Sequence, residues 1–238
     1  LWRSQSTPKE ELQVLTLISR AILGFLFLMF VLALALFLPA GSLGFWRAWV
    51  YLGVFAVCTV LITIYLTRND PGLLAGRVRA GPVAEGEKSQ RIIQSLASLF
   101  FIGMYIVSGF DYRYDWSNIP GSLSLLADVL VALGFFFVFL VFRENSYTSS
   151  TVQVAEGQRV VTTGPYSLVR HPMYAGAGLL VIVTPVALGS WVAIPLAVGM
   201  MLVIVVRLRE EEKLLANSLA GYKEYCDKVH HRLIPFIW

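Results

Sequence analysis

Arg170 and His171 stand side by side, with Tyr166 four residues before the arginine and Tyr174 three residues after the histidine. A guanidinium, an imidazole and two phenols in so short a segment can hold an anionic group and direct hydrogen bonds at it. Pro172 suits the first residue of a helix, and the residue before a proline is kept from helical geometry. The free N–H groups at such a helix start also favour negative charge. Arg207 and Glu211 are four residues apart, so on a helix they share one face. Glu210, Glu211 and Glu212 cannot all point one way; one or two are expected inward and the rest in solvent. From the residues alone, a basic membrane anchor with a helix start, or an exposed Arg207–Glu211 pair, accounts for the same pattern. Tyr222, Lys223, Glu224 and Tyr225 read as an amphipathic, membrane-surface stretch. Glu144 to Tyr147 could cap a helix or line a cavity, and an ordinary polar loop explains them equally well.

These groups sit in a chain made for a bilayer. Of its 238 residues, 57% are hydrophobic and only 14% charged, against about a quarter charged in a soluble domain. The mean hydropathy is +0.69. Apolar runs at 15–38, 50–66, 92–110 and 123–142 are each read as one spanning helix. The first is too long for the apolar core of a signal peptide and is expected to remain as a span. Trp46, Trp49 and Tyr51 mark the entry of the second. The segment 67–91 reads as a polar loop. Met173–Leu188 and Trp191–Val206 are shorter apolar stretches joined by Gly189-Ser190 and interrupted by Pro185 and Pro195, which suggests a tight helical hairpin. A charged helix is expected over 207–229.

The fold expected is therefore an all-α integral membrane protein with about six hydrophobic helices, four spans plus a short hairpin, and a cytoplasmic C-terminal helix. Two parts are expected: N-terminal transmembrane helices over 1–143, and a catalytic, cofactor-binding region over 144–238. All but Arg47 and Arg113 of the 19 Lys and Arg fall on one side of this topology. The positive-inside rule then puts both termini, and the polar cluster, in the cytoplasm.

Other chemistries lack their residues. The chain has no glycine-rich phosphate loop, no G-x-G-x-x-G and no zinc-ligand spacing. Cys58 and Cys226 lie far apart and are expected as free thiols, and the three histidines form no metal site. Basic and aromatic residues are not interleaved as in nucleic-acid binders. Neither a metal nor a nucleic acid is expected.

Gly164-Pro165-Tyr166, Arg170-His171-Pro172-Met173-Tyr174-Ala175-Gly176, Glu210-Glu211-Glu212 and Gly221-Tyr222-Lys223-Glu224-Tyr225 together resemble the isoprenylcysteine carboxyl methyltransferase family, itself similar to membrane phospholipid methyltransferases. The resemblance covers roughly residues 140–238. It implies S-adenosyl-L-methionine (SAM) as methyl donor and a lipophilic or prenylated small-molecule acceptor reached among membrane lipids. It also implies that Gln153, Val160, Val161, Tyr166, His171, Tyr174 and Glu211 contact the cofactor. Arg207 is implied as the arginine that holds the acceptor's carboxylate. Arg170 is a second candidate catalytic cation, its role open between substrate and structure. Two alternatives stay in view: a membrane sterol-type reductase using NADPH, whose closing pattern is similar to Tyr225-Cys226 and Arg232-Leu233-Ile234-Pro235, and a non-enzymatic scaffold or transporter.

Overall fold

The computed structural model describes residues 8–78, 81–148, 150–151 and 157–238. Its order is α1 (Pro8–Ala40), α2 (Trp46–Asn69), α3 (Pro71–Val78), α4 (Lys88–Tyr114), α5 (Gly121–Glu144), α6 (Pro172–Ala187), α7 (Ile194–Ser218) and α8 (Tyr222–Lys228). Single 3₁₀ turns sit at Pro82–Ala84 and Gly164–Ser167. Among the described residues the regular structure is entirely helical. Helices α1, α2, α4 and α5 are long and apolar enough to cross a bilayer, while α6 is a shorter apolar helix. Leu23, Phe27, Leu61, Leu99 and Phe136 are all more than half exposed. So much open apolar surface is untenable in water and is what a helix shows to lipid.

Small residues set how closely these helices approach, as lipid-solvated bundles require. A Cβ on Gly109 of α4 would lie 2.5 Å from the Leu36 carbonyl oxygen of α1. Gly134 of α5 and Gly176 of α6 face each other; a Cβ on Gly134 would meet Leu180 at 2.7 Å. This contact seats α6 along α5, and α7 packs on α4.

The end of the bundle away from Arg207 is held by buried polar bonds. The Asp111 carboxylate accepts from the Ser117 N–H and hydroxyl and from the Ser190 hydroxyl, at 2.8, 2.6 and 2.5 Å. It thereby ties the end of α4 to the α6–α7 turn. Arg47 donates to Ser124 Oγ and to the Ile119 carbonyl, locking α2 to the start of α5.

Three sequence expectations change. The region 67–91 is not a loop throughout. Asp70 accepts the Leu73 N–H through its side chain at 2.9 Å and Pro71 opens the helix, so an N-cap with proline at N1 starts α3. Pro195 does not interrupt an apolar arm. It lies in the first turn of α7, where its missing N–H costs nothing. The second hairpin arm and the charged helix are one element, because α7 runs unbroken from Ile194 to Ser218. The break comes later, at Leu219–Gly221, where Gly221 takes φ +81° and a new axis starts α8.

Candidate active site

The segment before α6 is held from two sides. The Gly164–Ser167 turn follows Thr163, whose hydroxyl bonds Glu144 at the end of α5. Asn145 donates to Tyr166 Oη at 2.8 Å, and Tyr225 Oη donates to the Tyr166 carbonyl at 2.7 Å. Burial raises the Tyr166 pKa, while bonds from Thr148 and Asn145 oppose the shift. Tyr222 and Tyr225 are therefore buried, not lying on a membrane surface as expected, whereas Lys223 and Glu224 between them are exposed.

Arg170 is fully engaged within the protein. Its Nε donates to the Val229 carbonyl at 2.7 Å, and its two terminal nitrogens donate to Glu212 Oε1 and the His230 carbonyl, both at 3.0 Å. Its backbone N–H bonds the His231 carbonyl, and that of His171 bonds Arg232. Glu212 also accepts from Arg232 at 2.8 Å and lies 3.5 Å from His171 Nε2. Partial burial works against the Glu212 charge, but His171 and Arg232 outweigh it and hold the carboxyl at about 2. His171 is buried, with Tyr222 Oη also 3.5 Å from its Nε2.

Arg207 is the centre of a second network. Its Nε donates to Tyr174 Oη at 3.1 Å, and Tyr174 in turn donates to Glu211 Oε2 at 2.6 Å. Its other nitrogens donate to Gln94 Oε1 at 2.7 Å, Glu85 Oε1 at 2.7 Å and the Ser150 carbonyl at 2.9 Å. Glu85 is only 2% exposed, so this is a buried ion pair. Arg77 lies close by over the Phe142 ring. Burial pulls its guanidinium down to about 10; Tyr174 opposes this and the Arg207 charge adds to it. Of the glutamate triplet, Glu211 and Glu212 turn inward, while Glu210 pairs with Lys213 at the surface.

Both networks border one cavity of about 410 Å³, within the range of small-molecule sites. Arg170, Arg207, His171, Glu211, Tyr166 and Tyr174 line it, as do Val160 and Val161. Eight of the nine candidate residues thus meet there, and Gln153 lies outside the described residues. The lining is mixed, with polar side chains at Asn145, Thr148, Gln158 and Arg159 and apolar ones at Met173, Ala177, Met200 and Ile204.

Sequence reasoning missed Glu85 and Gln94, which reach Arg207 from the α3–α4 connection and from α4. Gln94 had a signal: it is a polar side chain at the mouth of a span. Glu85 had none that separates it from Glu87 two residues on.

Comparison with known proteins bears on the same region. A stretch of 105 residues, 41% of this chain, is 26% identical to a Delta(14)-sterol reductase of Mus musculus. The chain covers only 25% of that relative's length. Residues 123–220, which run from α5 through α7 and contain all nine candidate residues, match the family model described as phospholipid methyltransferase.

Proposed function

We propose that this chain is a membrane methyltransferase, similar to the isoprenylcysteine carboxyl O-methyltransferases, that binds SAM in the Arg207–His171 cavity and methylates a lipophilic acceptor. The observation that carries the reading is convergence. Residues spread from Val160 to Glu211 line one cavity of mixed polar and apolar lining, inside the segment that matches the methyltransferase family model.

The residues present suit the donor. Its ammonium and sulfonium call for a carboxylate, which Glu211 supplies. Its own carboxylate calls for N–H and O–H donors, which Tyr166, His171 and the backbone at Val160 and Val161 supply. When bound, SAM provides an electrophilic methyl group. The protein's part is to hold the acceptor in line with that group and to exclude water. Tyr174, clamped between Arg207 and Glu211, fixes the glutamate's orientation. Met173, Ala177, Met200 and Ile204 form the surface on which an acceptor's apolar chain would lie.

An acceptor carboxylate is ionised at neutral pH and needs no base; Arg207 would orient it, sharing or exchanging the place that Glu85 holds. A phospholipid amine or a small thiol is an alternative acceptor in the same reading. In this reading the cavity end of the bundle, with its arginines and lysines, faces the cytoplasm.

The test is calorimetric SAM binding to the purified chain and to the His171→Ala and Glu211→Ala variants. Binding that weakens by about tenfold or more in each variant is expected, a loss of about 1.4 kcal/mol. Absence of binding by the unaltered chain, or full binding by both variants, would refute the reading. The sterol reductase match favours a second reading, NADPH chemistry at the same cavity. Thermal protection by NADPH and not by SAM would put that one first.

A further inference from the structure

Beyond the cavity, one face of the molecule combines lipid-seeking and phosphate-seeking groups. Val198, Leu202 and Val206 make an exposed apolar stripe down α7, 47%, 63% and 50% open. The next position on that face is Arg209, an exposed residue whose guanidinium lies 5.9 Å over the Trp238 ring. Arg232 lies over the same ring at 5.4 Å. Beside this stack Ile234, Phe236 and Ile237 project outward, and Phe236 is 92% exposed. Leu168, 59% exposed, lies two residues before Arg170, and the backbone of Arg170 and His171 is bonded to that of His231 and Arg232.

Phe236 also holds φ +65°, a left-handed conformation rare for a bulky residue and costly by about 1 kcal/mol or more. That turn returns the Ile237 and Trp238 N–H groups to the Ile234 carbonyl and sets the ring centroid 5.4 Å from that of His231, yet leaves the residue 92% exposed. At a bilayer boundary such a ring would enter hydrocarbon. A tryptophan flanked by arginines is the usual composition of the interface itself, the ring at headgroup depth and the cations at phosphate level.

We propose that residues 232–238 and Arg209 form a lipid-binding surface, in which Phe236, Ile237 and Ile234 enter the bilayer and the arginines stacked on Trp238 hold the phosphate of an anionic phospholipid. The occupant is argued from continuity: the lipid-facing stripe of α7 leads directly into the Arg209–Trp238–Arg232 stack. The surface is also joined to the cavity. Arg232 donates to Glu212, which holds Arg170 and lies beside His171. A headgroup that draws Arg232 outward competes with Glu212 for it. Lipid composition would thereby reach the wall of the site without a ligand entering it.

The test uses the full chain in nanodiscs. Phe236→Cys, in a background with Cys58 and Cys226 replaced by alanine, carries an environment-sensitive fluorophore. Blue-shifted emission, quenched by lipids spin-labelled near the headgroup, is expected. Replacing roughly one-quarter of the phosphatidylcholine with phosphatidylglycerol should slow hydrogen exchange over 232–238 by about fivefold per engaged arginine. Arg209→Gln should remove part of that slowing while the circular dichroism stays native; among the described residues Arg209 makes no ion pair whose loss could unfold the chain. Water-like, unquenched emission in both lipids would overturn the proposal, as would equal exchange rates in the two. The same slowing by inorganic phosphate in phosphatidylcholine discs would also overturn it, by assigning the arginines to a free anion.

Discussion

Glu85→Ala tests whether the Arg207 network is a buried, coupled ion pair. Glu85 is 2% exposed and its Oε1 lies 2.7 Å from an Arg207 nitrogen, with the arginine side chain 10% exposed. Removing the carboxylate leaves a cation out of water with Gln94, Ser150 and Tyr174 as neutral partners. Breaking one side of such a pair costs about 3–5 kcal/mol, because the remaining charge stays buried. The neutral partners already satisfy three of the donor directions, which places the expectation at the lower end, about 3 kcal/mol. Arg207→Met removes the guanidinium that pairs with Glu85 and should also be destabilising. The double variant Glu85→Ala, Arg207→Met removes both charges of the pair, so it should be less destabilised than the sum by about 1–3 kcal/mol. The assay is chemical unfolding of the chain and the three variants in one detergent, read by circular dichroism. A cost below about 1 kcal/mol for Glu85→Ala, or strict additivity in the cycle, would refute the reasoning. That result would mean that water reaches the pair and that Arg207 is free to meet a ligand unaided.

Three further outcomes are expected. Tyr174→Phe removes the acceptor of Arg207 Nε and the donor to Glu211, so SAM affinity should fall about tenfold by calorimetry while the fold persists. Glu212 is a depressed carboxylate, at about 2 against an ordinary 4.5. Its contribution, up to about 3 kcal/mol, is complete above pH 4.5 and is lost as pH falls toward 2; hydrogen exchange over 229–233 should rise through that window, and Glu212→Gln should abolish the dependence. Gly109→Ala puts a methyl 2.5 Å from the Leu36 carbonyl oxygen, so α1 must move from α4, costing about 1–3 kcal/mol in the same unfolding assay.

What was legible in the sequence follows from what each signal depends on. The four spans were readable because lipid imposes a length and a composition on a helix whatever it packs against. Their ends moved outward by two to seven residues, since interfacial residues such as Trp46 and Asn69 continue a helix without adding to its apolar run. The α7 helix was misdivided for the opposite reason. A change from apolar to charged residues at Arg207 marks where the environment changes, and backbone hydrogen bonding is indifferent to it. The true break, at Gly221, is a backbone event, and the glycine there was read only as part of a motif.

The site shows the same division. Tyr166, His171, Tyr174, Arg207 and Glu211 were legible as chemistry, yet which cation is committed to what was not. Arg170 and Arg207 are identical side chains at the rim of one cavity. Arg170 spends its fork on two carbonyls of residues 229–230 and on Glu212, which makes it the clasp of the chain's last turns. Arg207 spends its fork on Glu85, Gln94 and Tyr174, which come from three other elements. That difference arises from how the α3–α4 connection, α4 and α6 approach α7, and no local pattern around either arginine encodes it. Arg207 is also the one joined through Tyr174 to Glu211, so a displacement of Glu85 would reach the proposed cofactor contact by way of a single phenol. Arg170 lines the cavity too, but its side-chain bonds run to Glu212 and to the carbonyls of Val229 and His230, so its loss should loosen residues 229–232 first and reach His171 through Glu212.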